Sequence, residues 1–422
     1  MNCVKQYLNK LMILGFGMLL SGCQVWQLAS YQWNNANAVA TWPTDGKGQE
    51  ITREVIPFKQ LNNHILVDVS VNESESLTFV VDTGAAATVI TETDRTDKLM
   101  LSLDNPMTIS GAGDDDDPVA YLVHNNKVQV GRFTIDNLSV VYAPTEALPF
   151  DSRKETYFDG VLGADFFNCC IVEINHDEQV IYFQPRTDEV IANYVQPNWQ
   201  PLDMQVIGNT PFLHTQVTDS KANKPVKLLV DTGSTGTVTL FSTTGKFEVP
   251  AQHYASRSSG ISGDSQNLVG ILKGINFGDW QVHDFPSYFR VTGSNPQSDS
   301  DGVLGNQLLK RFNQVYDFQG QKLYLQQLKQ ADLPILADRS GLRVLPHAHG
   351  AIVKDVSPES YAERIELTVG DVITKINGRV VHAASHDELT GYFNEPNQKI
   401  LSLCWLQNQV EQCGELALYD RI

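Results

Sequence analysis

Basic residues are in short supply. The chain sets 31 lysines and arginines against 49 aspartates and glutamates in 422 residues, a formal charge of -18. Duplex nucleic acid is held by clustered Lys and Arg, so this balance excludes it as a partner. Cysteine is also scarce. Six in the whole chain are too few for a disulfide scaffold, and with no C-x-x-C pair a structural zinc site has no framework. No metal or organic cofactor is expected. Long apolar runs are missing too: Leu11–Leu20 is ten residues, where a bilayer core of ~30 Å needs about 20. What the chain does have is 42% hydrophobic residues, enough for sizeable cores and too many for a disordered protein.

The short apolar run follows Lys5 and Lys10 and ends at Leu20-Ser21-Gly22-Cys23. A charged start, a short apolar stretch and small residues at the cut read as a secretory signal over 1–22. The last four residues resemble the lipobox of bacterial lipoproteins. The resemblance implies that Cys23 becomes a lipidated N-terminus, anchoring the protein to membrane. With Gln24 next, it implies outer-membrane sorting, facing the periplasm. Residues 23–51, rich in Gln, Asn, Ala and Ser, read as a tether.

A repeat organises the body. Val80-Val81-Asp82-Thr83-Gly84 returns 149 residues later as Leu229-Val230-Asp231-Thr232-Gly233. Asp159-Gly160-Val161-Leu162-Gly163 returns 142 residues later as Asp301-Gly302-Val303-Leu304-Gly305. Two homologous halves therefore occupy 52–190 and 191–331. Each is β-rich, with alternating or continuously apolar runs such as Ile65–Val71 between Asn, Gly, Ser and Pro clusters. Short helix starts follow the glycine motifs at Ala164–Phe167 and Asn306–Arg311.

The tail differs. Residues 332–340 read as a linker. Beyond them come a strand at Gly350–Val356, a helix start at Ser357-Pro358-Glu359-Ser360, and a strand ending in the Asn377-Gly378 turn. A helix over Ser385–Phe393 and a strand over Ile400–Leu406 complete the order. Over 335–422 this resembles a bacterial PDZ domain, most specifically in Gly370-Asp371-Val372-Ile373 and Ile376-Asn377-Gly378. The Gly341-Leu342-Arg343-Val344 stretch matches the carboxylate-binding loop weakly. An envelope protein held by this domain is the partner it implies. Cys404 and Cys413 flank a hairpin turn at Asn408-Gln409 that sets them opposite one another, placed to form a disulfide. Cys169 and Cys170 read as strand residues on opposite faces.

Two Asp-Thr-Gly triplets at matching points of a repeat, each after an apolar strand, carry the chemistry. The sequence resembles the retropepsin-like aspartic proteases, with both halves in one chain. The resemblance implies a mainly β fold: two pseudo-symmetric acid-protease lobes, then the PDZ-like α+β domain. It implies Asp82 and Asp231 as the catalytic pair hydrolysing a bound polypeptide. Two adjacent carboxylates share one proton, so one activates water while the other polarises the carbonyl. Thr83 and Thr232 would bond across the pseudo-dyad, Gly84 and Gly233 permit close approach, and Gly163 and Gly305 pack beneath the loops. Ser234, where the first half has Ala85, points to Asp231 as the better-stabilised anion. Gly111 and Gly113, and Gly260 and Gly263, look like flap tips. The acidic run Asp114–Asp117 after the first reads as a solvated tip that would favour basic substrates. The competing reading is a catalytically silent, peptide-binding adaptor, which carboxylates held far apart would favour.

Overall fold

The computed structural model describes Tyr31 and residues 35–422, apart from 220–221, 293–298, 330 and 383–385. The signal segment, Cys23 and the start of the tether lie outside the described residues. No helix among the described residues is long and apolar enough to cross a membrane.

Each half is built around the strand that leads to its Asp-Thr-Gly. Leu77–Val81 lies between antiparallel His64–Val71 and parallel Gly160–Leu162, with Val80 opposite Leu66 and Val161. A strand flanked on both edges and buried on both faces is mostly apolar, which explains why Leu77–Val81 carries a single polar residue, the half-buried Thr78. The second half repeats the arrangement, with Asn223–Asp231 between Thr210–Thr218 and Gly302–Gly305. The two glycine motifs are thereby fixed beside the two aspartates.

The halves are joined more tightly than two sequence repeats announce. A shared sheet runs through Gln200–Ile207, Lys322–Gln327, Phe312–Asp317, Ile171–Asn175, Val180–Gln184 and Glu54–Pro57. Three strands come from each half, and the seam is Ile171–Asn175 against Phe312–Asp317, with Glu173 opposite Val315. Phe167 packs on Tyr316 and Phe318 across that seam, ring centroids 5.4 Å apart in both pairs. One hydrophobic core consequently spans both lobes.

Several expectations are corrected. The described part of the 23–51 segment is a strap against the first lobe, not a free tether. Val39–Thr41 adds an edge strand to Phe133–Ala143, and Trp42 packs on Phe133 at 4.8 Å. Tyr31 Oη donates to Asp165 at 2.7 Å, while Asn35 accepts from Ser139 N–H at 2.7 Å. Aromatic burial and these bonds outweigh the polar composition. Cys169 and Cys170 follow the short helix Asp165–Asn168, and both thiols bond the Phe166 carbonyl.

The PDZ-like tail has a core of its own, from Leu342 to Leu418. Its sheet order places Leu342–His347 at an edge, followed by Gly350–Val356, Val372–Ile376, Ile400–Gln407 and Val410–Ala417. Cys404 and Cys413 face each other across the last pair and are disulfide-bonded. The helix expected from Ser357 starts later, at Tyr361–Arg364, because Ser360 is the cap accepting the Glu363 N–H. The second helix is His386–Asn394. The linker is shorter than 332–340: Arg339 is buried, donating to the carbonyls of Glu395 and Gln398 and to Asp420. Residues 338–340 therefore belong to the domain.

Candidate active site

The apolar strands deliver Asp82 and Asp231 to the seam between lobes. Thr83 Oγ1 donates to the Val230 carbonyl at 2.7 Å, and Thr232 Oγ1 donates to the Val81 carbonyl at 2.8 Å. Each hydroxyl also accepts the other threonine's N–H, at 3.1 and 3.0 Å. Both side chains are fully buried. Four reciprocal bonds in a dry setting hold the two loops at one separation.

Within that frame the carboxyls of Asp82 and Asp231 are hydrogen-bonded to each other. A Cβ on Gly84 would lie 2.7 Å from the Asp231 Cγ, and one on Gly233 2.3 Å from the Asp82 Cγ. Each glycine thus leaves the room that the opposite carboxyl fills. Gly163 and Gly305 support the loops from below: a Cβ there would meet the Ala87 and Gly236 carbonyls at 2.2 and 2.4 Å. The backbone continues the symmetry, with Ala164 N–H on Ala85 O at 2.9 Å and Asn306 N–H on Ser234 O at 2.7 Å.

The pair is electrostatically uneven. Burial pushes both carboxyls up, and at Asp231 the charge and hydrogen bond of Asp82 act in the same direction. Asp82 Oδ1 accepts N–H bonds from Gly84 at 2.7 Å and Ala85 at 3.0 Å, which hold its anion. Asp231 Oδ1 accepts from Ser234 N–H at 2.9 Å. Ser234 therefore contributes its backbone N–H to Asp231. Its Oγ would stand 2.9 Å from a Cβ on Gly305, and the two carboxyls titrate as one pair that shares a proton.

The glycine loops of the two lobes meet each other. Gly111 N–H donates to Ser262 Oγ at 3.0 Å, Ser262 N–H to Ala112 O at 3.0 Å, and Asp115 N–H to Ser262 O at 2.8 Å. The tips of the two lobes interlock. At Gly113, with φ +146°, a Cβ would fall 1.8 Å from Ser262 O, and at Gly260 and Gly263 it would meet Ala112 O and Asp115. The acidic run is exposed yet engaged in this junction: Asp117 accepts from Ser262 Oγ at 2.7 Å.

Other parts escaped notice in the sequence. Asn63 Nδ2 donates to Thr235 O at 2.8 Å, and Asn209 Nδ2 donates to Ala86 O at 3.3 Å. These are matching clamps from each lobe onto the other's aspartate loop. Both residues have left-handed backbone, φ 64° and 67°, which Asn tolerates. Their matching places in the repeat were a readable signal. His64 gave none. Its Nε2–H donates to Gly233 O at 2.8 Å, leaving Nδ1 to accept from Tyr157 Oη at 2.5 Å.

The PDZ-like domain reaches this site. Asp355 accepts Arg257 N–H at 2.9 Å on the outer edge of the second flap, and Ser357 Oγ donates to Ala255 O beside it. Arg343 donates to Ser259 Oγ at 3.1 Å, and Arg421 stacks 3.8 Å over the Tyr254 ring. On the first lobe, Lys354 pairs with Glu155 at 2.8 Å, both largely buried. The domain therefore bridges the second flap and the 145–159 segment of the first lobe.

Among the described residues no group of His, Cys, Asp or Glu is gathered as a metal site would be. Segments 67–166 and 217–308 match the aspartyl protease family, and 352–403 match the PDZ domain. No curated protein matches the chain.

Proposed function

From a body of the aspartyl-protease type in two lobes, followed by a PDZ domain, we propose an aspartic endopeptidase of the bacterial cell envelope. Two carboxyls, one from each lobe, hydrogen-bonded to each other under interlocked flaps, carry this reading. Asp82 takes a proton from a water held between them, and Asp231 donates its own to the carbonyl oxygen of the scissile bond. The tetrahedral intermediate then collapses as the leaving nitrogen is protonated, and the dyad returns to one proton. Water-poor surroundings strengthen each of these bonds. Carboxyls this close also speak against the silent-adaptor reading. The test compares peptides released from envelope proteins by wild type and by Asp231→Asn. Identical peptide sets would remove the assignment.

The PDZ domain governs the flap in this reading. Substrate can enter only if the flaps part, and the second flap is tied to the domain and through it to Glu155. Lys354→Glu should loosen that tie and change kcat/KM on a short peptide by several-fold, with Glu155→Lys/Lys354→Glu restoring it. A double variant no closer to wild type than either single would show that the pair does not couple the elements. Deleting residues 338–422 should keep cleavage of the short peptide while altering that of a folded envelope protein.

Cys23 is proposed as the lipid attachment, holding the protein at the outer membrane with its cleft in the periplasm. Two or more acyl chains give durable anchoring at ~0.8 kcal/mol per buried CH₂. Cys23→Ser should leave the protein unprocessed or soluble. Unchanged membrane fractionation with normal signal removal would contradict the lipoprotein assignment.

A further inference from the structure

The two lobes present chemically different walls to the cleft. In the first, Val80 lies two residues before Asp82, on the same face of its strand, and strand registers extend that face through Val161, Val89, Val141 and Leu122. In the second, Leu229 stands two before Asp231, and the row runs through Val303, Thr239, Tyr288 and Val269. Side chains two apart along a strand share a face, so both rows flank the carboxyls. The next row toward the flap diverges completely. The first lobe has Ala143 and Ala120, both fully buried, where the second has Arg290 paired in register with Asn267.

Arg290 is only 6% exposed, and among the described residues its Nε and Nη1 have no hydrogen-bond partner. Its guanidinium lies 5.2 Å over Phe241, and the charge of Asp114 on the opposite flap favours its charged form. Ser265 Oγ and Asn267 Oδ1, on the same face of the flap strand, are also buried and unpartnered. A buried cation with free N–H groups is costly to keep unless something binds there.

We propose that Arg290, with Ser265, forms a specificity subsite for a carboxylate side chain of the substrate, Glu or Asp, on the second-lobe side of the scissile bond. The first-lobe wall takes an aliphatic side chain. The proposal rests on the peptidase reading for its place in the cleft but is tested by binding, independently of turnover. Full-length Asp231→Asn protein is titrated with fluorescent peptides that pair Glu against Gln, and Asp against Asn, at each position around an aliphatic residue. One position should prefer the acid by roughly ten- to hundredfold. Arg290→Gln should abolish that preference; Arg290→Lys should keep part of it. Arg290→Met, without peptide, should melt about 2 °C or more above wild type, because it removes an unpaired buried charge. No acid preference at any position, a preference that survives Arg290→Gln, or an Arg290→Met protein that melts lower would each overturn the subsite. Wild type that binds the acidic peptide but cuts nothing would sink the peptidase reading and leave the subsite standing.

Discussion

Asp231→Asn should lower peptide turnover by about three orders of magnitude or more, since each carboxyl is half of one catalytic unit. The same substitution should leave the fold intact and stabilise it at neutral pH. Asn is close in shape and carries no charge, so the Thr83–Thr232 bonds and the loops survive. The sign follows from the carboxyls' environment. Burial raises both, whereas in the unfolded chain they titrate near ~3.9. Between that pH and the raised folded value, the native protein holds a proton that the unfolded chain has lost. Stability therefore falls as pH rises through this window and stays reduced above it. A neutral amide removes the loss. Thermal melts should show Asp231→Asn above wild type at pH 7, with the gap closing below about pH 4. Wild-type cleavage should fail as pH rises through the upper transition of the pair, because no proton then remains for the carbonyl oxygen. An Asp231→Asn protein with substantial turnover, or one that melts below wild type at pH 7, would disprove the shared-proton account.

Gly233→Ala is the most damaging small substitution the site offers. Its Cβ would stand 2.3 Å from the Asp82 Cγ and Oδ2, the carboxyl the chemistry needs in place. Either the carboxyl turns away or the lobes separate, and separation stretches the four bonds of the threonine frame. Activity should fall by at least about a hundredfold, as misplacement on the ångström scale does. Stability should drop by about 1–3 kcal/mol. Urea denaturation and peptide hydrolysis measure the two effects. A Gly233→Ala enzyme with wild-type kcat/KM would mean that the Asp82 carboxyl does not occupy the position described.

The acidic residues contrast with these two positions. Asp114–Asp117 stand together in sequence and invite a reading as one solvated cluster, yet Asp114, Asp115 and Asp117 each engage the second lobe. Asp115 and Asp117 bind the opposite flap, and Asp114 supplies the field felt by Arg290. Local composition describes the run. Only its partners separate its members.

The sequence by itself determined the repeat, and the repeat determined much of the fold. Val80-Val81-Asp82-Thr83-Gly84 and its second copy had to end buried strands, because no exposed strand keeps such unbroken apolar character. The Val-Leu-Gly segments were bound to matching places for the same reason. Asn377-Gly378 and the spacing of Cys404 and Cys413 likewise marked local turns, whose geometry depends on a few adjacent residues. Tertiary structure alone decided which groups meet. Two backbone N–H groups aimed at Asp82, from Gly84 and Ala85, and one aimed at Asp231, from Ser234, depend on how the loops fold. His64, a lone histidine in a strand, meets Gly233 across 169 residues. Lys354 meets Glu155 and Arg343 meets Ser259 only because a separately packed domain settles on a flap edge. Arg290 reads as an ordinary strand residue until the register sets it beside Asn267, with Nε and Nη1 unpartnered among the described residues. Short-range patterns are written by neighbours in the chain, whereas charge and hydrogen-bond partners are set by whichever surfaces fold together.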